Sequence, residues 1–294
     1  MTVAFIFPGQ GSQYVGMGRV NNSAVADKFF AAADAVLGFS LKAICLNGPE
    51  AELKKTAITQ PAIFTVSAII LELLKAKGIE PAIAAGHSLG EYGALYAAGA
   101  ISFPDAVKIL NLRGRFMQEA VPLGEGKMSA VLGLAPDIIQ AICAAHQVAA
   151  ANFNAPDQTV ISGTAEAVDK VSMILKEKGA KRVIPLPVSA PFHSPLMRPA
   201  QERLAVELEK INIADAKIPV VANVTAAAVT DGKTIKKLLV EQVTAPVRWV
   251  ESIQYITRSG ISQFIEVGPG KVLAGLIKKI DPTVGILSGE EETK

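Results

Sequence analysis

Cysteine is almost missing from this chain. Its 294 residues include two, Cys45 and Cys143, with no metal-binding or redox spacing between them. That excludes a disulfide-built scaffold and a thiolate metal site. Both lie in apolar, helix-like segments and read as buried free thiols in a reducing, cytoplasmic setting. An excess of one charge is also lacking. The 29 Lys and Arg against 27 Asp and Glu leave +2, which excludes the basic signature of a nucleic-acid binder. A local basic patch for an acidic protein partner stays open. Mean hydropathy is high at +0.35, yet no run of 18 apolar residues occurs, so no membrane span is expected. No basic leader precedes the first apolar run, and Pro8-Gly9 ends that run after five residues. It reads as a first strand rather than a signal peptide. Repeats and low-complexity tracts are absent too. Histidine is scarce, with three in all, and that scarcity becomes useful below.

What is present centres on Pro81–Tyr92. The short apolar run 82–86 leads into Gly86-His87-Ser88-Leu89-Gly90, and a helix-like segment follows. This is G-x-S-x-G with a strand before it and a helix after it. A serine held on so tight a turn is crowded from two residues either side, so those neighbours must be glycine. The turn lifts the Ser88 hydroxyl clear of the sheet and aims the first N–H groups of the next helix at whatever Ser88 attacks. The Leu89 N–H is then a natural half of an oxyanion hole. The bland alternative is a glycine-rich turn with a helix-capping serine.

A nucleophilic serine needs a base. His87 lies inside the turn, where alternation points its ring away from Ser88. His146 ends a helix and reads as an exposed C-terminal cap. His193 lies in the irregular, proline-flanked loop 189–195, and loops on a rigid scaffold favour catalytic residues. His193 is therefore the expected base, against the alternative of a surface histidine in a turn. No Asp or Glu has motif context as its orienter, so no Ser-His-Asp triad is legible.

Along the chain, strands are expected at 3–7, 82–86, 218–223 and 262–267. Helices are expected at 24–36, 61–77, 102–120, 197–210 and 232–243, in a segment opening at 246–249, and up to 280. Between them, 124–188 reads strand, helix, strand, strand, helix, strand. This βαββαβ order is ferredoxin-like. The expected organisation is a larger α/β domain, 1–123 plus 189–294, with a largely parallel sheet covered on both faces, and a subdomain, 124–188, inserted into it. The loop Pro8–Gln13 is glycine-rich but lacks the Lys-Ser/Thr of a P-loop.

Five motifs occur in order: Phe7-Pro8-Gly9-Gln10-Gly11-Ser12-Gln13, Gly86–Tyr92, Arg113-Gly114-Arg115-Phe116-Met117, Ala190-Pro191-Phe192-His193-Ser194 and Glu266-Val267-Gly268-Pro269-Gly270. Together they resemble the malonyl-CoA:acyl carrier protein transacylase family of bacterial fatty acid synthesis, over nearly the whole chain. The resemblance implies an α/β-hydrolase-like core with a ferredoxin-like insertion. It implies Ser88 as nucleophile, His193 as base, Arg113 as clamp for the malonyl carboxylate, and the Gln10 and Leu89 N–H groups as the oxyanion hole. It implies that Gln242 offers its backbone carbonyl to His193, which accounts for the missing acid. Phe192, Met117, Asn154 and Asn223 would bind substrate, with Asn152 near the same cleft. From composition alone Arg113 reads rather as a solvated helix arginine, and Phe192 as ordinary loop packing. The implied reaction is ping-pong transfer through a malonyl-serine, with coenzyme A thioester and acyl carrier protein as partners and no metal or cofactor. A monomer is expected. Three other readings share some of these features: a free-standing acyltransferase serving a polyketide synthase, a serine esterase or thioesterase, and a catalytically silent scaffold.

Overall fold

A computed structural model describes residues 2–188 and 190–293. Met1, Ser189 and Lys294, which the expected domain limits and the loop 189–195 include, lie outside the described residues. Ten strands are described. In chain order they are β1 (Ala4–Phe7), β2 (Ile83–Gly86), β3 (Gly126–Leu132), β4 (Ala149–Ala155), β5 (Gln158–Thr164), β6 (Arg182–Pro185), β7 (Val220–Val221), β8 (Ala228–Val229), β9 (Gln263–Glu266) and β10 (Gly285–Ser288). They form two sheets. One has the order β10-β9-β1-β2-β7-β8, and the other β4-β5-β3-β6.

The first sheet is parallel from β10 to β7, with β8 added antiparallel at one edge. β1 and β2 are buried along their whole length, as a strand covered by helices on both faces must be. Their register pairs Phe7 with Gly86, so both strands end at the same level. The loops that leave them, starting at Pro8 and His87, meet at the carboxyl edge of the sheet. In open α/β sheets that edge is where ligands bind.

The long helix Thr56–Ala76 lies in the core with Ile63, Val66, Ile70 and Leu74 fully covered. By length and composition it could cross a membrane, with mean hydropathy 1.7 over its most apolar window, but 83% of that window is buried inside the protein. Pro61 sits within this helix. A proline there cannot donate to the carbonyl four residues earlier. That carbonyl, Ala57 O, instead accepts from Asn111 Nδ2 at 2.8 Å. Asn111 belongs to the helix Phe103–Glu119, so the defect in one helix ties it to the other. A few residues along, Gly114 meets the same helix so closely that an added Cβ would stand 2.5 Å from Thr56 O. The crossing brings Arg113 against Gln60.

The second sheet is antiparallel throughout. Its helices, Pro136–Ala145 and Ala165–Glu177, bury Ile139, Cys143, Val168, Val171 and Leu175 against Val131 and Ile161. This apolar cluster is distinct from those of the larger sheet. Backbone bonds join the two layers where β4 meets the loop before Trp249: Phe153 N donates to Val247 O and Val247 N to Ala151 O, each at 2.9 Å.

The expected strand 218–223 is reduced to Val220–Val221 and turns back as the hairpin to β8. Several short elements had no sequence expectation: the helices Leu41–Asn47, Glu50–Leu53 and Gly289–Glu292, and the strands β8 and β10. Both cysteines are buried, and burial pushes each thiol up to about 12.

Candidate active site

Ser88 stands on the turn between β2 and the helix Gly90–Ala97, with φ of 53°. A non-glycine residue adopts this left-handed conformation at a cost of about 1–3 kcal/mol, tolerated where the surroundings enforce it. Here they do. A Cβ on Gly86 would lie 1.9 Å from the Gly90 carbonyl carbon, and one on Gly90 would lie 2.1 Å from Phe7 O. Asn223 clamps the turn from below. Its Oδ1 accepts from Ser88 N at 2.7 Å and its Nδ2 donates to Gly86 O at 2.6 Å.

His193, also at positive φ, 56°, places Nε2 2.8 Å from Ser88 Oγ. On the far side of the ring Nδ1 donates to Gln242 O at 2.9 Å and to Ala245 O at 3.1 Å. Two carbonyls thus fix the tautomer with the proton on Nδ1, leaving Nε2 free to accept the serine proton. Burial, with the Arg113 guanidinium beside it, holds the imidazole down to about 3. The ring is therefore neutral at ordinary pH.

Arg113 is almost wholly buried, 1% exposed. Nη1 donates to Gln60 Oε1 at 2.8 Å, and Nη2 to Gln242 Oε1 at 2.9 Å and Ser88 Oγ at 3.1 Å. All these partners are neutral oxygens. Burying a cation that bonds to no anion is costly; burial lowers the pKa of this one, against the opposing pull of Tyr92 and Glu91 nearby. Gln60 is itself steered, since its Nε2 faces Met117 Sδ at 3.9 Å.

A cavity of about 140 Å³ opens over these groups, lined among others by Gln10, Leu89, Met117, Asn154 and Phe192. Among the described residues, neither the Gln10 N–H nor the Leu89 N–H has a backbone acceptor. Asn152 also lines the cavity. Asn223 does not. It is fully buried behind the turn, where it supports Ser88 rather than a substrate. Gln242 meets its expected contact, its carbonyl accepting from His193 Nδ1, and does more. Besides its carbonyl, its side chain bonds Arg113, donates to Ser88 O at 3.1 Å, and donates to Glu91 Oε2 at 2.9 Å. His87 turns from the serine, as alternation requires. Its Nε2 meets Asn154 Oδ1 at 2.8 Å and its ring meets Trp249 edge-on. His146 stands at the C-terminal cap of the helix Pro136–Ala145, as expected, but is half-buried rather than exposed. Arg115 lies outside the cavity, along a surface groove with Lys54 and Lys55.

Two buried residues of this network carried no sequence expectation. Glu91, three residues after Ser88, accepts from Asn223 N at 2.9 Å as well as from Gln242. Gln60 is buried on the long helix beside Thr59 and Pro61, and its long amide among short hydroxyl and apolar side chains was the available signal. Among the described residues no group of three or more His, Cys, Asp or Glu converges on a metal position.

A serine so placed can take an acyl group from an activated ester, and a lone buried guanidinium beside it favours an acyl group that ends in a carboxylate. That is the equipment of an acyltransferase. An acyl transferase domain model matches residues 4–282. The malonyl CoA-acyl carrier protein transacylase of Bacillus subtilis is 48% identical over 286 residues, covering 95% of this chain and 90% of its own length. That of Escherichia coli K12 is 46% identical over 288 residues, covering 96% and 93%. The solved malonyl CoA-acyl carrier protein transacylase of Coxiella burnetii superposes with a TM-score of 0.97 at 44% identity, covering 99% of this chain and 95% of that one. Another solved structure, of a type II PKS acyl-carrier protein in complex with its malonyl-transacylase, gives 0.95 at 44% identity, covering 98% and 96%. The chain belongs to the acyl transferase family, among its malonyl CoA-acyl carrier protein transacylases.

Proposed function

We propose that this protein transfers the malonyl group of malonyl-CoA to the phosphopantetheine thiol of acyl carrier protein, through a malonyl ester on Ser88. The observation that carries the reading is the Arg113 guanidinium, buried and 3.1 Å from the nucleophile, with only neutral oxygens bonded to it among the described residues. A free carboxylate three carbons from the thioester sulfur supplies the missing anion, and the planar fork of arginine pairs with it bidentately.

The steps follow from the hydrogen bonds. Ser88 Oγ passes its proton to His193 Nε2 and attacks the thioester carbon. The carbonyl oxygen takes the charge and is held by the Gln10 and Leu89 N–H groups. As the carbon–sulfur bond breaks, His193 returns the proton to the coenzyme A thiolate, leaving malonyl-Ser88. The carrier thiol then gives its proton to His193 and attacks the ester. Ser88 leaves and recovers the proton. No metal or redox cofactor is required. Phe192 lines the acyl cavity, where its ring limits branching on the acyl α-carbon, and Met117 and Asn154 complete the wall.

In the same reading, the parallel sheet with its serine turn is an α/β-hydrolase-like core, 1–123 with 189–294. The unit 124–188, with strand order β4-β5-β3-β6, is a ferredoxin-like insertion that roofs the cleft. The protein works as a cytoplasmic monomer, with neither membrane nor nucleic acid as partner. Service to a polyketide carrier is the second reading. It is favoured by the likeness to a transacylase solved with a type II PKS carrier protein.

Mass spectrometry after addition of malonyl-CoA, and again after acyl carrier protein, tests the reading. Malonyl mass should appear on Ser88 and then leave for the carrier. Ser88→Ala should carry none. A malonylated Ser88→Ala protein, or an adduct lost to water rather than to the carrier, overturns it.

A further inference from the structure

The geometry points to Glu91 as a positioning residue for acyl selection, acting through the side-chain amide of Gln242 on the guanidinium of Arg113. This rests on the malonyl-transfer reading above. Glu91 is 2% exposed, beneath the serine turn on the first turn of the following helix. Its Oε2 accepts two hydrogen bonds, from Asn223 N and Gln242 Nε2, each at 2.9 Å.

The second bond decides which way the Gln242 amide faces. With Nε2 held between Glu91 Oε2 and Ser88 O, Oε1 has to face Arg113 Nη2, which donates to it at 2.9 Å. Turned over, the amide would set its NH₂ against the guanidinium N–H groups and its oxygen against a carboxyl oxygen and a carbonyl. Two donors would meet and two acceptors would meet. Ser88 O, at 3.1 Å, accepts the longer of the two bonds that resist this reversal. Glu91 accepts the shorter. Arg113 is then gripped at Nη1 by Gln60 and at Nη2 by Gln242, which fixes the plane of its fork before a carboxylate arrives. Glu91 and Arg113 feel each other's charge, yet the neutral Gln242 amide, bonded to both, stands between them. Glu91 orients the cation without pairing with it, and the charge stays available to the substrate.

The other bond, to Asn223 N, has a different consequence. Asn223 keeps its own side-chain bonds to Ser88 N and Gly86 O without help from Glu91, so the serine turn has support that Glu91 does not control. Removing Glu91 therefore falls more heavily on the carboxylate clamp than on the nucleophile.

The test compares kcat/KM for malonyl-CoA and acetyl-CoA in wild type, Glu91→Ala, Glu91→Gln, Gln242→Met and the double variant Glu91→Ala with Gln242→Met. Glu91→Ala should lower malonyl transfer roughly 10- to 100-fold more than acetyl transfer, the range expected for a hydrogen bond to a charged centre. Glu91→Gln, whose amide oxygen can accept both bonds, should recover most of that selectivity. In the Gln242→Met background Glu91→Ala should add little, because two residues acting in series are not additive. Equal losses for both thioesters overturn the proposal, as do losses that multiply in the double variant. A Glu91→Gln as impaired as Glu91→Ala overturns the hydrogen-bond basis. A crystal structure of Glu91→Ala probes the same chain of bonds without any substrate. The Gln242–Arg113 contact should be broken or the amide reversed, and its survival at unchanged geometry overturns the proposal even if the malonyl reading itself fails.

Discussion

His193 and Arg113 meet on one atom. Nε2 of the first lies 2.8 Å from Ser88 Oγ, and Nη2 of the second lies 3.1 Å from it. The guanidinium can only donate, so it occupies an oxygen lone pair and turns the hydroxyl hydrogen toward His193. A carboxylate that draws Nη2 away frees that lone pair for attack. On the proposed reading an anionic acyl group would therefore both fill the clamp and uncover the nucleophile. Two consequences separate it from a neutral acyl group, where a pocket of the right size would supply one.

Arg113→Ala should cut kcat/KM for malonyl-CoA by roughly 10²–10³, since removing one partner of a buried charge pair costs about 2–5 kcal/mol. Acetyl-CoA, with no carboxylate, should lose far less, so the acetyl-to-malonyl ratio should rise. Equal losses would make Arg113 a structural residue, and the clamp would have to lie elsewhere.

His193→Ala and Gln242→Ala should fail in different ways. Loss of the general base should slow malonyl and acetyl transfer alike, by about 10²–10⁴. Gln242→Ala keeps the carbonyl that orients His193 and removes the amide that holds Arg113. Its malonyl rate should fall while acetyl transfer largely survives. A Gln242→Ala defect of equal size toward both thioesters would mean that the side chain serves the Ser88–His193 pair instead.

The titration of the site has a definite sign. His193 is pushed down to about 3, burial being the larger cause and Arg113 the next. Its base form thus persists well below the usual imidazole value of about 6.5. Acylation of Ser88, followed by rapid quench, should show no inflection near pH 6.5 on the acid side. Glu91 moves the other way, pushed up to about 7 by burial against the pull of Asn223 N, Gln242 and Arg113. Between its ordinary value of 4.5 and about 7, the folded chain keeps a proton that the unfolded chain has lost. Its contribution is therefore present at pH 4.5 and is lost as pH rises to 7. Relative to Glu91→Gln, the wild type should lose up to about 3 kcal/mol of stability across that window. Urea melts of both proteins at pH 5 and pH 7 measure it, and a constant difference contradicts it.

The serine turn was legible because its sterics leave a sequence trace: Gly86 and Gly90 must be glycine, and the apolar run of β2 precedes them. His193 was legible because histidine is so scarce that elimination works. The order strand, helix, strand, strand, helix, strand expected over 124–188 is the order the structure has there, because its two helices are long enough to show their period and turn residues separate its strands. What did not read through were relationships between distant residues. Glu91 and Gln242 are 151 positions apart, and nothing local marks that one will receive a hydrogen from the other. Asn223 resembled a substrate ligand in its motif position, yet the fold spends it on supporting Ser88. Strand β8, a two-residue pairing at a sheet edge, escaped because so short a pairing depends on its neighbours rather than on its own sequence.

Gly114 offers a test of how the clamp is held from outside the site. It adjoins Arg113 on the helix Phe103–Glu119, and its α-carbon faces the start of the helix Thr56–Ala76. An alanine Cβ would stand 2.5 Å from Thr56 O and 2.7 Å from Ala57 Cα. Both are backbone atoms, so no side chain can swing aside to relieve them. The helices must separate, and the tie from Asn111 to Ala57 O must stretch with them. Overpacking of this kind costs about 1–3 kcal/mol, so Gly114→Ala should melt several degrees below wild type. The same separation draws Gln60 away from Arg113 Nη1. The surviving folded protein should therefore lose malonyl transfer more than acetyl transfer, although position 114 touches neither thioester. A Gly114→Ala protein with lowered melting temperature and unchanged acyl preference would show that the helix crossing sets stability only, and that Arg113 keeps its place without it.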